Sequence, residues 1–199
     1  MGVPQPRSRS PRGGATGTVR PTDESLVPAE IAELRKMLKS FACCAQFTDR
    51  ALWRVAQGAV LRSYARYGSA YHENGDADAL YVLLSGTMLL RSQVDEQRGR
   101  RVVATPGRVW PAFGVDAPVA FGVEALMGIS DARPPPRLES ATAEGRCKCA
   151  IVGRDHLLTA LRLQVEDEEA YQQSVVRLKK GAQKHLHAHM DATWGVAAS

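Results

Sequence analysis

The chain has 199 residues, of which 44% are hydrophobic and 24% are charged, and its formal net charge is +5 at pH 7. This length and composition fit one globular domain with a short appendage, and they exclude a chain that is disordered throughout. No apolar run approaches the roughly 18 residues that a membrane-spanning helix needs. The N-terminal residues also lack the apolar segment of a signal peptide. We therefore expect a cytoplasmic protein without a membrane span.

The excess positive charge is concentrated near the N-terminus, where Arg7, Arg9, Arg12 and Arg20 occur with no acidic residue among the first twenty. Residues 1–28 are rich in Pro, Gly, Ser, Thr and Arg and show no hydrophobic periodicity. Such a segment buries too little apolar surface to offset the entropy lost on ordering. We predict a disordered basic arm over residues 1–28, and its charge favours acidic protein partners.

Two short helices are predicted after the arm. Pro28 stands near the start of the first, in which Ile31 and Leu34 recur at helical spacing, and Thr48 or Asp49 caps the second. The pattern then changes to short apolar runs separated by glycine-containing turns, with strands predicted at 59–64, 80–84, 87–91, 101–104 and 147–152. Many short strands with this punctuation indicate an antiparallel roll or barrel.

Helical periodicity returns at Arg154, and a second, longer helix is predicted from about Val165. This helix has acidic residues at its start and lysines towards its end, which complements the helix dipole. Its apolar stripe consists of Tyr171, Val175, Leu178, Ala182 and Leu186. A stripe of this kind needs cover, either from the barrel or from another protein. We predict that Tyr171, Val175, Leu178 and Leu186 bind a protein partner.

Chemistry-bearing residues do not form a catalytic or metal-binding pattern. The four cysteines are Cys43, Cys44, Cys147 and Cys149. Their spacing matches neither a disulfide framework nor a zinc knuckle, so we expect reduced thiols. His185 and His189 share a helix face, but no carboxylate or cysteine partner for a metal site is evident, and we interpret them as an exposed helix end. We predict no metal, no cofactor and no enzymatic activity, because no nucleophile has a plausible base.

The central region carries glycines in a recognisable order. Tyr67-Gly68 is followed by Asn74-Gly75-Asp76 and then by Leu80-Tyr81-Val82-Leu83-Leu84-Ser85-Gly86. Further along, Phe121-Gly122-Val123-Glu124-Ala125-Leu126 precedes Arg137, Ser140 and Ala141, and Arg154 lies 17 residues after Arg137. This ordered set resembles the cyclic-nucleotide-binding domain family, in which glycines form the tight corners of a small roll.

The resemblance covers about Ile31 to Leu186 and implies a fold. It implies a mainly β domain over residues 29–190, an antiparallel jelly-roll β-barrel of cyclic-nucleotide-binding type with N-terminal helices and long C-terminal helices. Residues 191–199 then form a tail.

The resemblance also implies a ligand site, the phosphate-binding cassette, with cAMP or cGMP as the ligand. In this family a glycine lets the backbone approach the ligand, the amides of a short helix face the cyclic phosphate, and an arginine binds the phosphate oxygens. A glutamate accepts a hydrogen bond from the ribose. The candidate ligand-binding residues carried over onto this sequence are Gly122, Val123, Glu124, Ala125, Leu126, Arg137, Ser140 and Ala141. Arg133 is an alternative to Arg137 as the phosphate-binding arginine.

Three features of the candidate cassette depart from the family's pattern. Val123 holds the place of the family's glutamate, and Glu124 follows one residue late. Residues 127–136 are longer than the usual segment and end in three consecutive prolines, which stiffen it. Glu139, two residues after Arg137, competes for that arginine or repels a phosphate. These departures argue for a degenerate pocket.

Two functions remain open. The departures, the apolar stripe and the basic arm favour a non-enzymatic interaction or scaffold subunit of a larger assembly, with cytoskeletal or ciliary assemblies as one setting. The alternative is a working sensor of cAMP, cGMP or a related nucleotide or nucleoside, whose C-terminal helices regulate a partner. No helix-turn-helix pattern follows the predicted barrel, so we do not expect binding to nucleic acid.

Overall fold

The computed structural model describes residues 23–91, 102–104 and 119–194, which form a central set of strands with helices before and after it. The strands are β1 (Asp23–Ser25), β2 (Val60–Tyr64), β3 (Ser69–Tyr71), β4 (Ala79–Ser85), β5 (Met88–Arg91), β6 (Val102–Ala104), β7 (Val119–Phe121), β8 (Ser140–Ala143) and β9 (Cys147–Gly153). The helices are α1 (Pro28–Ser40), α2 (Asp49–Gln57), α3 (Glu124–Met127), α4 (Arg154–Leu163) and α5 (Glu168–Trp194), with a 3₁₀ turn at Ala42–Cys44.

The strands form two antiparallel sheets. The first has the order β1-β2-β9-β4-β7 and the second has the order β3-β8-β5-β6. The longest pairing joins β4 to β9, with Val82 opposite Ala150. Side chains from both sheets, including Tyr81 of β4 and Ala141 of β8, share one buried cluster, so the sheets face each other across it. The predicted fold class, an antiparallel roll with helices at both ends, is confirmed.

Strand β4 of the first sheet is buried on both faces. Alternate residues of β4 point in opposite directions, as in any strand. Tyr81 and Leu83 enter the cluster between the sheets, whereas Leu80 and Val82 enter a second cluster with the helices. Double burial explains why this strand reads as a continuous apolar run, although antiparallel strands with one solvated face alternate. Among the described residues, no helix is both long and apolar enough to cross a bilayer.

Two elements extend beyond the limits predicted for the domain, residues 29–190. The arm was predicted to extend to residue 28, but Asp23–Ser25 pair with β2 as an edge strand. Arg62 of β2 donates two hydrogen bonds to the Asp23 carboxylate, so charge rather than apolar patterning fixes this strand. At the other end, α5 continues past residue 190 to Trp194. Residues 1–22 of the predicted arm, residues 195–199 of the tail and Arg101 of a predicted strand lie outside the described residues.

The long helix α5 approaches the 3₁₀ turn closely at Gly181. A β-carbon at Gly181 would lie 2.8 Å from the Cα of Cys43. Alanine normally stabilises a helix relative to glycine by about 1 kcal/mol. We expect the opposite here: Gly181→Ala should lower the free energy of unfolding by about 1–3 kcal/mol, because the added methyl pushes α5 away from the turn. Urea denaturation followed by circular dichroism measures the change.

Gly145→Ala is the matched control, because a β-carbon there would have no heavy atom within 4 Å. A stability loss at Gly145 equal to that at Gly181 would contradict the packing argument.

Candidate functional site

The chain turns sharply at Gly122, between β7 and α3. Its φ is +71°, in the left-handed region that glycine adopts without strain. A β-carbon at this position would lie 2.6 Å from Nη1 of Arg137 and 3.2 Å from the Tyr81 ring. Backbone conformation and space therefore both require glycine here. Beyond the turn, Val123, Ala125 and Leu126 are buried in apolar surroundings.

The Arg137 side chain fills the space behind this turn and is only 1% exposed. Nη1 donates a hydrogen bond of 3.0 Å to the carbonyl oxygen of Gly122. Nη2 donates to the carbonyl oxygen of Ala79 at 2.8 Å and to Oδ1 of Asp78 at 3.2 Å. The guanidinium carbon lies 4.3 Å from the centre of the Tyr71 ring. Both terminal nitrogens, which an arginine uses to grip a phosphate, are thus engaged by the protein itself.

Glu124 is buried beside this arginine. Its Oε1 lies 3.6 Å from Nη1 of Arg137, which is beyond hydrogen-bond distance, and Oε1 has no hydrogen-bond partner among the described residues. Burial raises the pKa of the Glu124 carboxyl above its ordinary value, although the Arg137 charge acts in the opposite direction. The glutamate that follows Gly122 one residue late therefore still faces the arginine.

The structure separates the two candidate arginines. Arg137 reaches the Gly122 turn, whereas Arg133 lies exposed in the segment before it. Ser140 and Ala141 belong to β8 and do not line the turn. The Ser140 hydroxyl accepts a hydrogen bond of 2.8 Å from the Glu73 amide, and Ala141 is buried between the sheets. In this conformation, these two predicted ligand-binding residues contribute to the hydrogen bonding and packing of the second sheet.

The proline-rich segment, residues 127–136, is held by contacts within itself and with Ala77 and Arg154. A β-carbon at Gly128 would lie 2.5 Å from Cδ of Pro135. The carbonyl oxygen of Pro135 accepts a hydrogen bond of 2.8 Å from the Ala77 amide. Arg154 donates a hydrogen bond of 3.1 Å to the Gly128 carbonyl oxygen, which ties the start of α4 to the end of α3. The long segment is thus part of the packed structure around the arginine.

Helix α5 covers the cassette. His185 and Leu186 line a cavity of about 20 Å³ together with Ala120, Phe121, Gly122, Val123, Glu124 and Glu139. This volume holds about one water molecule, whereas small-molecule sites have volumes of about 300–1,000 Å³. Lys179 on α5 forms an ion pair of 3.1 Å with Asp131 of the proline-rich segment. In this conformation the cassette is closed.

The structure bears on two interpretations of α5, of which the first is wrong. His185 was expected at an exposed helix end, but it is only 7% exposed because it lies against the cassette. The stripe predicted to bind a partner is covered by the chain's own core. Val175 and Leu178 are buried, and Tyr171 packs against the same core beneath the Arg162 guanidinium. Leu186, the fourth predicted partner-binding residue, lies at the cavity.

Solved structures of other proteins have the same fold as this chain. No family model matches the sequence, and no curated protein matches it. A cyclic nucleotide-binding domain from Methylobacillus flagellatus KT is similar in structure, with a TM-score of 0.55 at 15% identity over 86% of each chain. The N-terminal domain of a transcriptional regulator from Streptomyces coelicolor A3(2) has a TM-score of 0.51 at 20% identity, over 79% of this chain and 96% of that chain. The chain has the cyclic-nucleotide-binding fold.

Within this fold, several groups at the Gly122 turn were missed by the sequence analysis. The carbonyl oxygen of Ala79 and the Tyr71 ring both contact Arg137, and Asp78 is ion-paired with it. A sequence feature could have pointed to Asp78, because this residue follows the Gly75-Asp76 turn and directly precedes β4. A backbone acceptor such as Ala79 has none, since any residue type supplies a carbonyl.

Removing the buried arginine tests whether it holds the cassette together. We expect Arg137→Met to lower the free energy of unfolding by about 3 kcal/mol or more, because two buried carbonyls lose their donor and the buried Glu124 carboxyl loses the positive charge beside it. Arg133→Met is the control, since this arginine is exposed and its loss should change stability by less than about 0.5 kcal/mol. Equal effects of the two substitutions in guanidinium denaturation would contradict the structural role of Arg137.

The free energy of unfolding should depend on pH through the buried carboxyl of Glu124. Its pKa is higher in the folded than in the unfolded state, so the folded state binds the proton more tightly. The contribution of this group to stability therefore falls as pH rises from about 4 through the folded-state pKa, and is constant above it. We expect Glu124→Gln to remove this part of the pH profile. The exposed Glu33→Gln is the control, and an identical profile for the two variants would contradict the assignment.

Proposed function

We propose that this chain is a non-enzymatic interaction subunit. In it, the cassette residues of the cyclic-nucleotide-binding fold hold the domain together and do not bind a nucleotide. One observation carries the proposal. Both terminal nitrogens of Arg137 are bonded to backbone carbonyls, and about 20 Å³ remains beside them under α5.

Competition for the arginine supports this proposal. A cyclic phosphate entering the cassette would have to displace Arg137 from the Gly122 and Ala79 carbonyls, which are buried and would lose their donor. It would also bring a negative charge towards Glu124 and Glu139, which both line the small cavity. Displacement, crowding and like charge all oppose binding of an anionic nucleotide.

The alternative, a working cAMP or cGMP sensor, has one specific feature in its favour. Gly122, Glu124 and Arg137 stay together at the turn despite the inserted Val123, so the groups that a cassette uses are assembled. A sensor would need α5 to move away and Arg137 to release its carbonyls. The ion pair between Lys179 and Asp131 would then break.

The interaction role supposes a protein partner and leaves no part for catalysis. Among the described residues, no group of three or more His, Cys, Asp and Glu side chains could hold a metal ion. The cytoskeletal or ciliary setting stays a prediction from domain organisation.

A thermal-shift titration with cAMP and cGMP tests the proposal, because a ligand that binds only the folded state raises the apparent stability by RT ln(1 + [L]/Kd). We expect no saturable shift with either nucleotide at concentrations up to about 1 mM, where a micromolar site would add about 4 kcal/mol. AMP and adenosine at the same concentrations are the controls. A saturable shift with a cyclic nucleotide, absent with AMP, would establish the sensor instead.

A further inference from the structure

A groove separate from the cassette lies between α2 and α4. It has a volume of about 320 Å³ and is lined by Thr48, Arg50, Ala51, Arg54, Ala160, Leu163 and Gln164. None of these residues lines the cavity beside Gly122. Ala51 and Ala160 are buried in the floor, whereas Leu163 is 60% exposed. The groove therefore combines a small apolar floor with an exposed apolar side chain.

The end of the groove at Gln164 is held in place by hydrogen bonds. The Gln164 Oε1 accepts a bond of 3.0 Å from the Thr48 amide, and its Nε2 donates one of 3.3 Å to the Gln46 carbonyl oxygen. The Thr48 hydroxyl in turn caps α2 by accepting from the Ala51 amide. These bonds join the start of α2 to the end of α4, so the groove keeps its shape without a ligand.

The α2 side of the groove is positively charged. Arg50 and Arg54 are exposed, lie one helical turn apart, and have no ion-pair partner among the described residues. Neighbouring cations are paired, since Lys39 contacts Asp49 at 2.8 Å and Arg162 contacts Glu168 at 2.6 Å. The two groove arginines are therefore available to an acidic surface.

An acidic surface directly follows the groove in the chain. Residues 166–169 are Glu-Asp-Glu-Glu, and all four are exposed. Their described contacts are local: Asp167 accepts a hydrogen bond from the Ala170 amide, and Glu168 pairs with Arg162. No described ion pair joins this acidic segment to Arg50 or Arg54. One copy of the chain thus presents a basic and an acidic surface beside the same exposed leucine.

We propose that this groove is the interface of a two-fold symmetric homodimer, in which residues 166–169 of each copy meet Arg50 and Arg54 of the other around Leu163. A two-fold interface must be self-complementary, and adjacent patches of opposite charge satisfy that requirement. The N-terminal arm is a poor occupant, because its arginines would face Arg50 and Arg54. This inference goes beyond the proposed function and does not depend on whether the cassette binds a nucleotide.

Sedimentation equilibrium of the full chain tests the proposal. We expect a monomer–dimer equilibrium that weakens as salt rises from about 50 to 500 mM, because exposed charges are screened. Arg50→Glu with Arg54→Glu should weaken the dimer at least about tenfold. Glu166→Lys with Glu169→Lys should do the same while keeping the Asp167 cap of α5. An equimolar mixture of these two double variants should recover association.

Lys180→Glu with Lys184→Glu is the matched control, since it reverses two exposed lysines at the same helical spacing on α5. Thermal unfolding checks that each variant is folded. If a charge variant does not fold, Leu163→Gln replaces it and should also weaken the dimer. A monomer at all concentrations would overturn the proposal, as would a dimer that the groove variants leave unchanged. Binding of an oligoglutamate peptide to such a monomer would assign the groove to an acidic partner protein instead.

Discussion

The structure around the cassette depends on one buried positive charge. The Arg137 guanidinium joins the start of β4, through Ala79, to the turn at Gly122, and it stacks on Tyr71 of the opposite sheet. Burying a cation is costly unless hydrogen bonds and opposite charge compensate it, so the elements that supply the acceptors of its two terminal nitrogens must remain together. Its carboxylate partner Asp78 is mostly exposed, and the carbonyls therefore carry much of the compensation.

Three sets of contacts hold α5 against the rest of the domain. Gly181 lies against Cys43 of the 3₁₀ turn, Val175 and Leu178 enter the helical core, and His185 covers the cassette. These contacts make α5 an internal wall of the domain. The interaction surfaces proposed for this chain consequently lie elsewhere, on the exposed sides of α2 and of the segment before α5.

Glycine turns and apolar periodicity are local signals, and they predicted the roll and its flanking helices. Gly122 and Arg137 were identified through the resemblance to the cyclic-nucleotide-binding domain family. The sequence analysis missed β1, since Asp23–Ser25 have no apolar residue and form a strand only by pairing with β2. Periodicity also showed that the α5 stripe needs cover without showing what supplies it. The choice between Arg133 and Arg137 depended on backbone carbonyls distant in sequence, which residue types do not reveal.

The order of strands in the first sheet has a consequence for how the chain is synthesised. β4 lies between β9 and β7, and both of these neighbours are translated well after it. Both edges of β4 are unpaired until residues 119–121 have left the ribosome, and the edge that pairs with β9 stays unpaired until residues 147–153 have left it. Pairings between distant segments also form slowly, because a long loop must close first. The N-terminal half is therefore exposed to aggregation during translation, when its helices form before its central strand has partners.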